Sequence, residues 1–109
     1  DIIIFNICKT TDWKSGKMVA LNKKTGKEVW VKDLANYSWS SPVDFLSDDG
    51  KTYMIFCDYA GQMHLMDPSN GEILDTISVG LNVEASPAIY NDMVVVGTYA
   101  KKIYGVKIK

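Results

Sequence analysis

The sequence predicts an all-β protein assembled from repeated units of short antiparallel strands. Three observations support this prediction: short apolar, β-rich segments lie between turn residues, no stretch shows sustained helical periodicity, and the chain resembles itself at a spacing of 40 to 45 residues. A fixed period of this length indicates that one small unit of structure is built several times along the chain.

The composition is that of an ordinary globular chain. The 109 residues are 47% hydrophobic and 23% charged, with a formal net charge of −1, which excludes a disordered or fibrous chain. All twelve cationic side chains are lysines, so the bidentate arginine contacts that recognise phosphate and guanine are absent, and we expect no nucleic-acid partner. No apolar run reaches the roughly 18 residues that a membrane-spanning helix needs. We therefore predict no membrane span.

No motif of catalysis or metal binding stands out in the sequence. His64 is the single histidine and has no cysteine or histidine cluster near it, so a zinc site lacks a ligand set. Cys8 and Cys57 lie beside apolar runs, which favours buried thiols. The nucleophile-elbow, phosphate-loop and zinc-protease patterns do not occur. We predict no catalytic residue, no bound metal and no cofactor.

The repeat is carried by turn glycines and by a Ser-Pro dipeptide. A shift of 45 residues superimposes Gly16 on Gly61, Gly26 on Gly71, and Ser41-Pro42 on Ser86-Pro87. A third, incomplete copy lies 40 residues further on, with Tyr99-Ala100 over Tyr59-Ala60. Glycine and proline fix the backbone at turns, so these positions have a physical reason to recur.

Four short strands in each 40 to 45 residues is the spacing of a β-propeller blade. A continuous apolar run such as Tyr53 to Cys57 is typical of a strand that neighbouring blades cover on both faces. A β-sandwich also has short strands but gives no reason for this period. We predict a fragment of a β-propeller with about two and a half four-stranded blades. Its parts are a blade remainder at 1–35, a full blade at 36–80 and an incomplete blade at 81–109.

One segment carries a spaced motif formed by Ala20, Asn22, Thr25, Gly26 and Trp30. These residues match every fixed position of the pattern Ala-x-Asp/Asn-x-x-Thr-Gly, then three further residues and Trp, so the segment resembles the docking motif of the pyrroloquinoline-quinone (PQQ) type propellers. The second copy keeps Asp67 and Gly71 but has Asp75 where the tryptophan would stand. The resemblance implies a structural role for these residues: the glycine closes a tight turn and the tryptophan anchors the next blade.

The resemblance implies two alternative functions. The first is a non-catalytic binding or assembly scaffold outside the cytoplasm. The second is a fragment of a PQQ-dependent alcohol or sugar dehydrogenase, which needs calcium ligands and a catalytic aspartate; the candidate carboxylates share no tight motif, and they are Asp44, Asp58, Glu84 and Asp92. We predict the scaffold, as the C-terminal part of a larger protein, with missing N-terminal propeller blades or a second copy covering its apolar ends.

Propeller topology predicts which loops share a face. The loops that join strand two to strand three, and strand four to the next strand one, open on the same side. This rim carries Trp13, Trp39, Tyr59, Glu84 and Tyr99. Aromatic side chains offer a large contact area at low entropy cost, so the rim is a candidate surface for a protein or a carbohydrate ligand. For Tyr59 and Tyr99, which recur at a spacing of 40 residues, packing between blades is the favoured interpretation.

Overall fold

The computed structural model describes residues 1–8, 16–80 and 82–108, which form ten strands in three antiparallel sheets. The first sheet contains β1 (Ile2–Cys8), β2 (Gly16–Asn22) and β3 (Glu28–Leu34). The second contains β4 (Val43–Leu46), β5 (Thr52–Cys57), β6 (Gln62–Asp67) and β7 (Glu72–Ser78). The third contains β8 (Ala88–Tyr90), β9 (Met93–Gly97) and β10 (Ile103–Lys107). The all-β prediction is confirmed.

Strands that follow one another in sequence are also neighbours in each sheet, and the middle sheet has the order β4-β5-β6-β7. The turns lie where glycine and Asx residues predict them. The pairing of β2 with β3 shifts by one residue between Ala20 and Leu21, and that of β6 with β7 shifts between Leu65 and Met66. These bulges occupy corresponding positions in the 45-residue repeat, so the repeat extends to backbone irregularities. The blade boundaries at 1–35, 36–80 and 81–109 stay a prediction.

The middle sheet is covered on both faces because β5 is apolar at successive positions. Met54 and Phe56 point to one side and join a core with Met18 and Leu34 of the first sheet. The intervening residues point to the other side, where Ile55 and Cys57 join a second core that includes Val94 and Val96 of the third sheet. Three sheets therefore stack through two cores, in the manner of propeller blades.

The strands β1 and β9 are as apolar as β5 but are covered on one face alone, which is half-buried in β1 and contains the buried Val94 and Val96 in β9. Their burial alternates, and Ile3, Ile7 and Val95 are 50%, 45% and 41% exposed. Within the described residues, Ile2 to Ile7 and Met93 to Val96 are therefore covered on one face, whereas Tyr53 to Cys57 is covered on both. The reason is that the first and third sheets each have one neighbouring sheet there. No helix long and apolar enough to cross a membrane is found in residues 1–8, 16–80 and 82–108.

Candidate functional site

The matched docking motif contains a turn that runs from Asn22 to Gly26. The Oδ1 atom of Asn22 accepts hydrogen bonds from the backbone N–H groups of Lys24 (2.9 Å) and Thr25 (3.1 Å). The N–H of Gly26 donates to the carbonyl of Asn22 at 2.9 Å. Gly26 has a φ of 72°, in the left-handed region that glycine enters without steric cost. Thr25 adds an acceptor, because its Oγ1 atom receives the N–H of Lys27 at 3.3 Å.

The degenerate second copy builds a closely similar turn. Asp67 Oδ1 accepts hydrogen bonds from the backbone N–H of Ser69 (2.9 Å) and from its hydroxyl (2.7 Å). These bonds lower the pKa of Asp67. The N–H of Gly71 donates to the carbonyl of Asp67 at 2.9 Å, and the φ of Gly71 is 77°. Asn70 stands at the position of Thr25, and its Oδ1 atom accepts the N–H of Glu72 at 2.8 Å, so the turn forms without the motif's alanine and threonine.

Trp30 connects the first sheet to this second turn. Its Nε1–H donates a 2.8 Å hydrogen bond to the carbonyl of Pro68. A Cβ atom added to Gly71 would lie 2.7 Å from Cε3 of Trp30, so the indole ring rests on this glycine. Ala20 is fully buried and pairs with Trp30 across β2 and β3, where its small side chain leaves room for the ring. The structure thus brings Ala20, Trp30 and Gly71 to one junction between two sheets.

Loops at one edge of the second and third sheets bring aromatic rings together. Tyr37 precedes β4, and its ring stacks on that of Tyr59 with centroids 4.5 Å apart. The ring of Trp39 is tilted against Tyr37 at 6.2 Å. The N–H of Tyr59, in the turn between β5 and β6, donates to the carbonyl of Tyr37 at 2.9 Å. Tyr37 is buried, whereas Trp39 and Tyr59 are 53% and 43% exposed.

The corresponding turn of the third sheet carries Tyr99 and a carboxylate partner. The Tyr99 hydroxyl donates to Glu84 Oε2 at 2.8 Å. The N–H of Tyr99 donates to the carbonyl of Asn82 at 3.2 Å, which repeats the Tyr59–Tyr37 bond of the second sheet. Tyr99 is 65% exposed and Glu84 is half-buried. The fifth predicted rim residue, Trp13, lies outside the described residues.

The phenols of this edge are coupled electrostatically. Burial, the hydrogen bond with Tyr59, and the charge of Glu84 raise the pKa of Tyr37 to about 12. The hydrogen bond to Glu84 raises the pKa of Tyr99, with a smaller contribution from Tyr59. The N–H of Val83, next to Glu84, donates to the carbonyl of Asp58, next to Tyr59, at 3.3 Å, so the two loops are bonded to each other. We call this group the rim cluster, and its members are Tyr37, Trp39, Tyr59, Glu84 and Tyr99.

Sequence reasoning missed Tyr37, which is the centre of the rim cluster. Tyr37 lies between β3 and β4, two residues before the predicted rim residue Trp39, and this position is the available signal. Its repeat counterpart is Asn82, so the repeat gave no reason to expect an aromatic ring there. The structure shows that the two residues share a backbone role as carbonyl acceptors.

A second polar group lies buried next to the rim turn. Asp58 Oδ2 is 2.8 Å from His64 Nε2, and His64 Nδ1 is 2.8 Å from Thr76 Oγ1. The imidazole also stacks on Phe56 at 4.7 Å. The main chain of Asp58 reaches the third sheet, since its carbonyl accepts the N–H of Val83 at 3.3 Å. Both ring nitrogens of His64 have partners, so this histidine ties the turn after β5 to β7.

Metal coordination has no preformed ligand set in the part of the chain that the structure describes. No three His, Cys, Asp or Glu side chains there lie close enough together to hold an ion.

Two sequence comparisons identify relatives of the chain. A family profile described as outer membrane protein assembly factor BamB matches residues 14–109. The outer membrane protein assembly factor BamB of Kangiella koreensis is 29% identical over 84 residues, which are 76% of this chain and 21% of that protein. The chain therefore spans about a fifth of that relative's length.

Solved structures show the same fold. The crystal structure of BamB from Moraxella catarrhalis matches with a TM-score of 0.74 and 19% identity, over 99% of this chain and 29% of that one. A europium-containing methanol dehydrogenase matches with a TM-score of 0.58 and 21% identity, over 87% of this chain and 15% of that one. At these identities the likeness concerns the fold, and it confirms the predicted β-propeller fragment. Since the family profile covers most of its residues, the chain belongs to the BamB family of PQQ-type β-propeller repeats.

Proposed function

We propose that this chain is part of a non-catalytic β-propeller that serves as a binding and assembly scaffold. The observation that carries the proposal is the rim cluster, where Trp39 and Tyr59 are exposed yet pack on a buried tyrosine. Exposed aromatic rings held in place make favourable contact surfaces because little entropy is lost when a partner binds. The names of the matched family and of the Kangiella koreensis relative support a role in outer membrane protein assembly, and with it a location in the cell envelope.

The stacked sheets supply the rigidity that such a surface needs. Trp30 docks on the turn at Gly71, and two apolar cores join the three sheets. The rim loops are tied to these sheets by main-chain hydrogen bonds from Tyr59 and Tyr99. A partner would therefore meet a preorganised surface.

The outward faces of the first and third sheets support a place within a larger propeller. Ile3 and Val29 of the first sheet are 50% and 48% exposed, and Ile103 of the third is 78% exposed. Covering apolar area is favourable, so we propose that further blades of this repeat type pack on both faces. Sedimentation of the 109-residue chain tests this: we expect self-association, and a monomer that unfolds cooperatively would contradict the proposal.

Alanine variants of the intact protein that carries this chain test the scaffold function. We expect Trp39→Ala and Tyr59→Ala to reduce the amount of folded outer membrane protein in the envelope without changing the protein's own level. Tyr90→Ala is the matched control, because Tyr90 is 78% exposed at the end of β8 opposite the rim. Rim variants that support assembly as well as the control would contradict the proposal.

A quinone titration tests the dehydrogenase alternative directly. A non-catalytic scaffold predicts no saturable change in PQQ absorbance when the intact protein is titrated with the quinone in the presence of calcium or europium. Saturable binding that requires the metal would instead favour a PQQ-dependent enzyme.

A further inference from the structure

The rim cluster combines exposed ring faces with one carboxylate. Trp39 and Tyr59 both pack against Tyr37, which fixes the directions of their rings. Glu84 is half-buried and is held by the hydroxyl of Tyr99 at 2.8 Å. Aromatic faces carry negative electrostatic potential, so the rings and the carboxylate both attract positive charge.

The negative charge of Glu84 is not balanced by an ion pair in the described part of the chain. The salt bridges between Lys and Asp found there are Lys17–Asp33 and Lys107–Asp92, both away from the rim. Lys101 and Lys102 share a turn with Tyr99, but neither forms an ion pair with Glu84. A half-buried carboxylate gains from a charged donor more than from a neutral one.

We propose that the rim cluster binds an arginine or lysine side chain presented by a protein partner. The cationic group would lie against the exposed ring faces and near the carboxylate of Glu84, which combines a cation–π contact with a charge-assisted hydrogen bond. The inference rests on the scaffold function proposed above and specifies the chemistry of the partner.

Other occupants fit one part of the cluster alone. A sugar ring would stack on Trp39 or Tyr59, but such stacking does not require the charge of Glu84. An apolar peptide would bury the rings and desolvate the carboxylate without giving it a charged partner, which is costly. A cation uses both the rings and the charge, so the geometry favours it.

An NMR titration of the ¹⁵N-labelled protein tests this inference with three probes. They are the capped tripeptide Gly-Arg-Gly, the same peptide with neutral citrulline in place of arginine, and maltotriose. We expect the arginine peptide to shift the amide signals of the rim loops and to bind about fivefold more tightly than the citrulline peptide. Glu84→Gln should reduce that preference, and Tyr59→Leu should weaken binding of the arginine peptide.

Glu28→Gln is the matched control, since Glu28 lies exposed on β3 and its substitution removes an equal charge far from the rim. Equal binding of the arginine and citrulline peptides to the unmodified protein overturns the inference, and this comparison needs no variant to fold. Saturable shifts with maltotriose but none with arginine overturn it in favour of a sugar. If arginine shows no preference while Trp39→Ala and Tyr59→Ala still impair assembly, the scaffold function stands and the cationic partner is wrong.

Discussion

The indole ring of Trp30 rests on Gly71 of the neighbouring sheet. A Cβ atom at Gly71 would lie 2.7 Å from Cε3 and 2.9 Å from Cζ3 of the indole. The same ring donates to the carbonyl of Pro68 at 2.8 Å. The turn of one repeat therefore binds the tryptophan of the repeat before it. In this way the motif positions two neighbouring sheets against each other.

Replacing Gly71 with alanine should destabilise the chain by about 3 kcal/mol. An alanine whose backbone φ lies in the left-handed region is strained, and its methyl group would overlap the indole. The measurement is urea denaturation followed by circular dichroism. Gly26→Ala is the matched control: its φ is 72° and no atom lies within 4 Å of an added Cβ. It should cost about 1 kcal/mol. Equal losses in the two variants would show that the ring does not dock tightly.

Removing the tryptophan should weaken the same junction from the other side. We expect Trp30→Ala to cost about 3 kcal/mol through lost burial and an orphaned carbonyl at Pro68. Trp30→Phe keeps a ring but loses the N–H donor, and should cost about 1 kcal/mol. Asp75 occupies the same repeat position and is exposed, so Asp75→Ala should change the free energy of unfolding by less than about 0.5 kcal/mol. A Trp30→Ala variant as stable as Asp75→Ala would refute the docking role.

The turns at Gly26 and Gly71 could be predicted because their causes are local. An Asx side chain caps the backbone two or three residues on, and a glycine four residues on enters the left-handed region, all within one short segment. The acceptor at Pro68 could not be predicted in this way. The carbonyl of Pro68 becomes the partner of Trp30 through the stacking of two sheets, and no local pattern in the sequence reveals how the sheets are offset.

The pairing of His64 with Thr76 was hidden by a bulge. Counting back from the turn at Asp67 and Glu72 places Asp75 opposite His64. The register shifts between Leu65 and Met66, so the residue opposite His64 is Thr76. One inserted residue thus decides which side chain completes the buried hydrogen-bonded group. The strand β7 is too polar for its pattern of apolar residues to reveal the shift.

Breaking that buried group should be costly. Asp58→Ala leaves His64 Nε2 without its 2.8 Å partner and the N–H of Gln62 without its side-chain acceptor. We expect a loss of about 3 kcal/mol, because Asp58 and His64 are both buried. Thr76→Val keeps the shape but removes one hydrogen bond at an exposed residue, and should cost about 1 kcal/mol or less. Scanning calorimetry of both variants tests this. If Asp58→Ala melts at the same temperature as Thr76→Val, the Asp58–His64 pair has no structural role.

Stability should fall in alkaline solution through the thiol of Cys57. Burial, with a smaller contribution from the charge of Asp58, raises the pKa of Cys57 to about 12, whereas an unfolded cysteine has a pKa of about 8.5 to 9. The unfolded chain releases the proton first, so the stabilising contribution is fully present below about pH 8.5 and is lost as pH rises toward 12. The burial-shifted pKa of Tyr37 acts in the same direction above about pH 10.

Between pH 9 and pH 10 the expected contribution of Cys57 to this loss is about 1 kcal/mol. Urea denaturation with a thiol-free reductant at pH 8, 9 and 10 measures it. Cys57→Ala will lower the stability at every pH because it opens a cavity, so the informative quantity is the slope with pH, which should become shallower. Cys8→Ala is the comparison variant, because it removes the half-buried thiol at the end of β1. If the slope of Cys57→Ala matches that of the unsubstituted chain, ionisation of the buried thiol is not what limits stability at high pH.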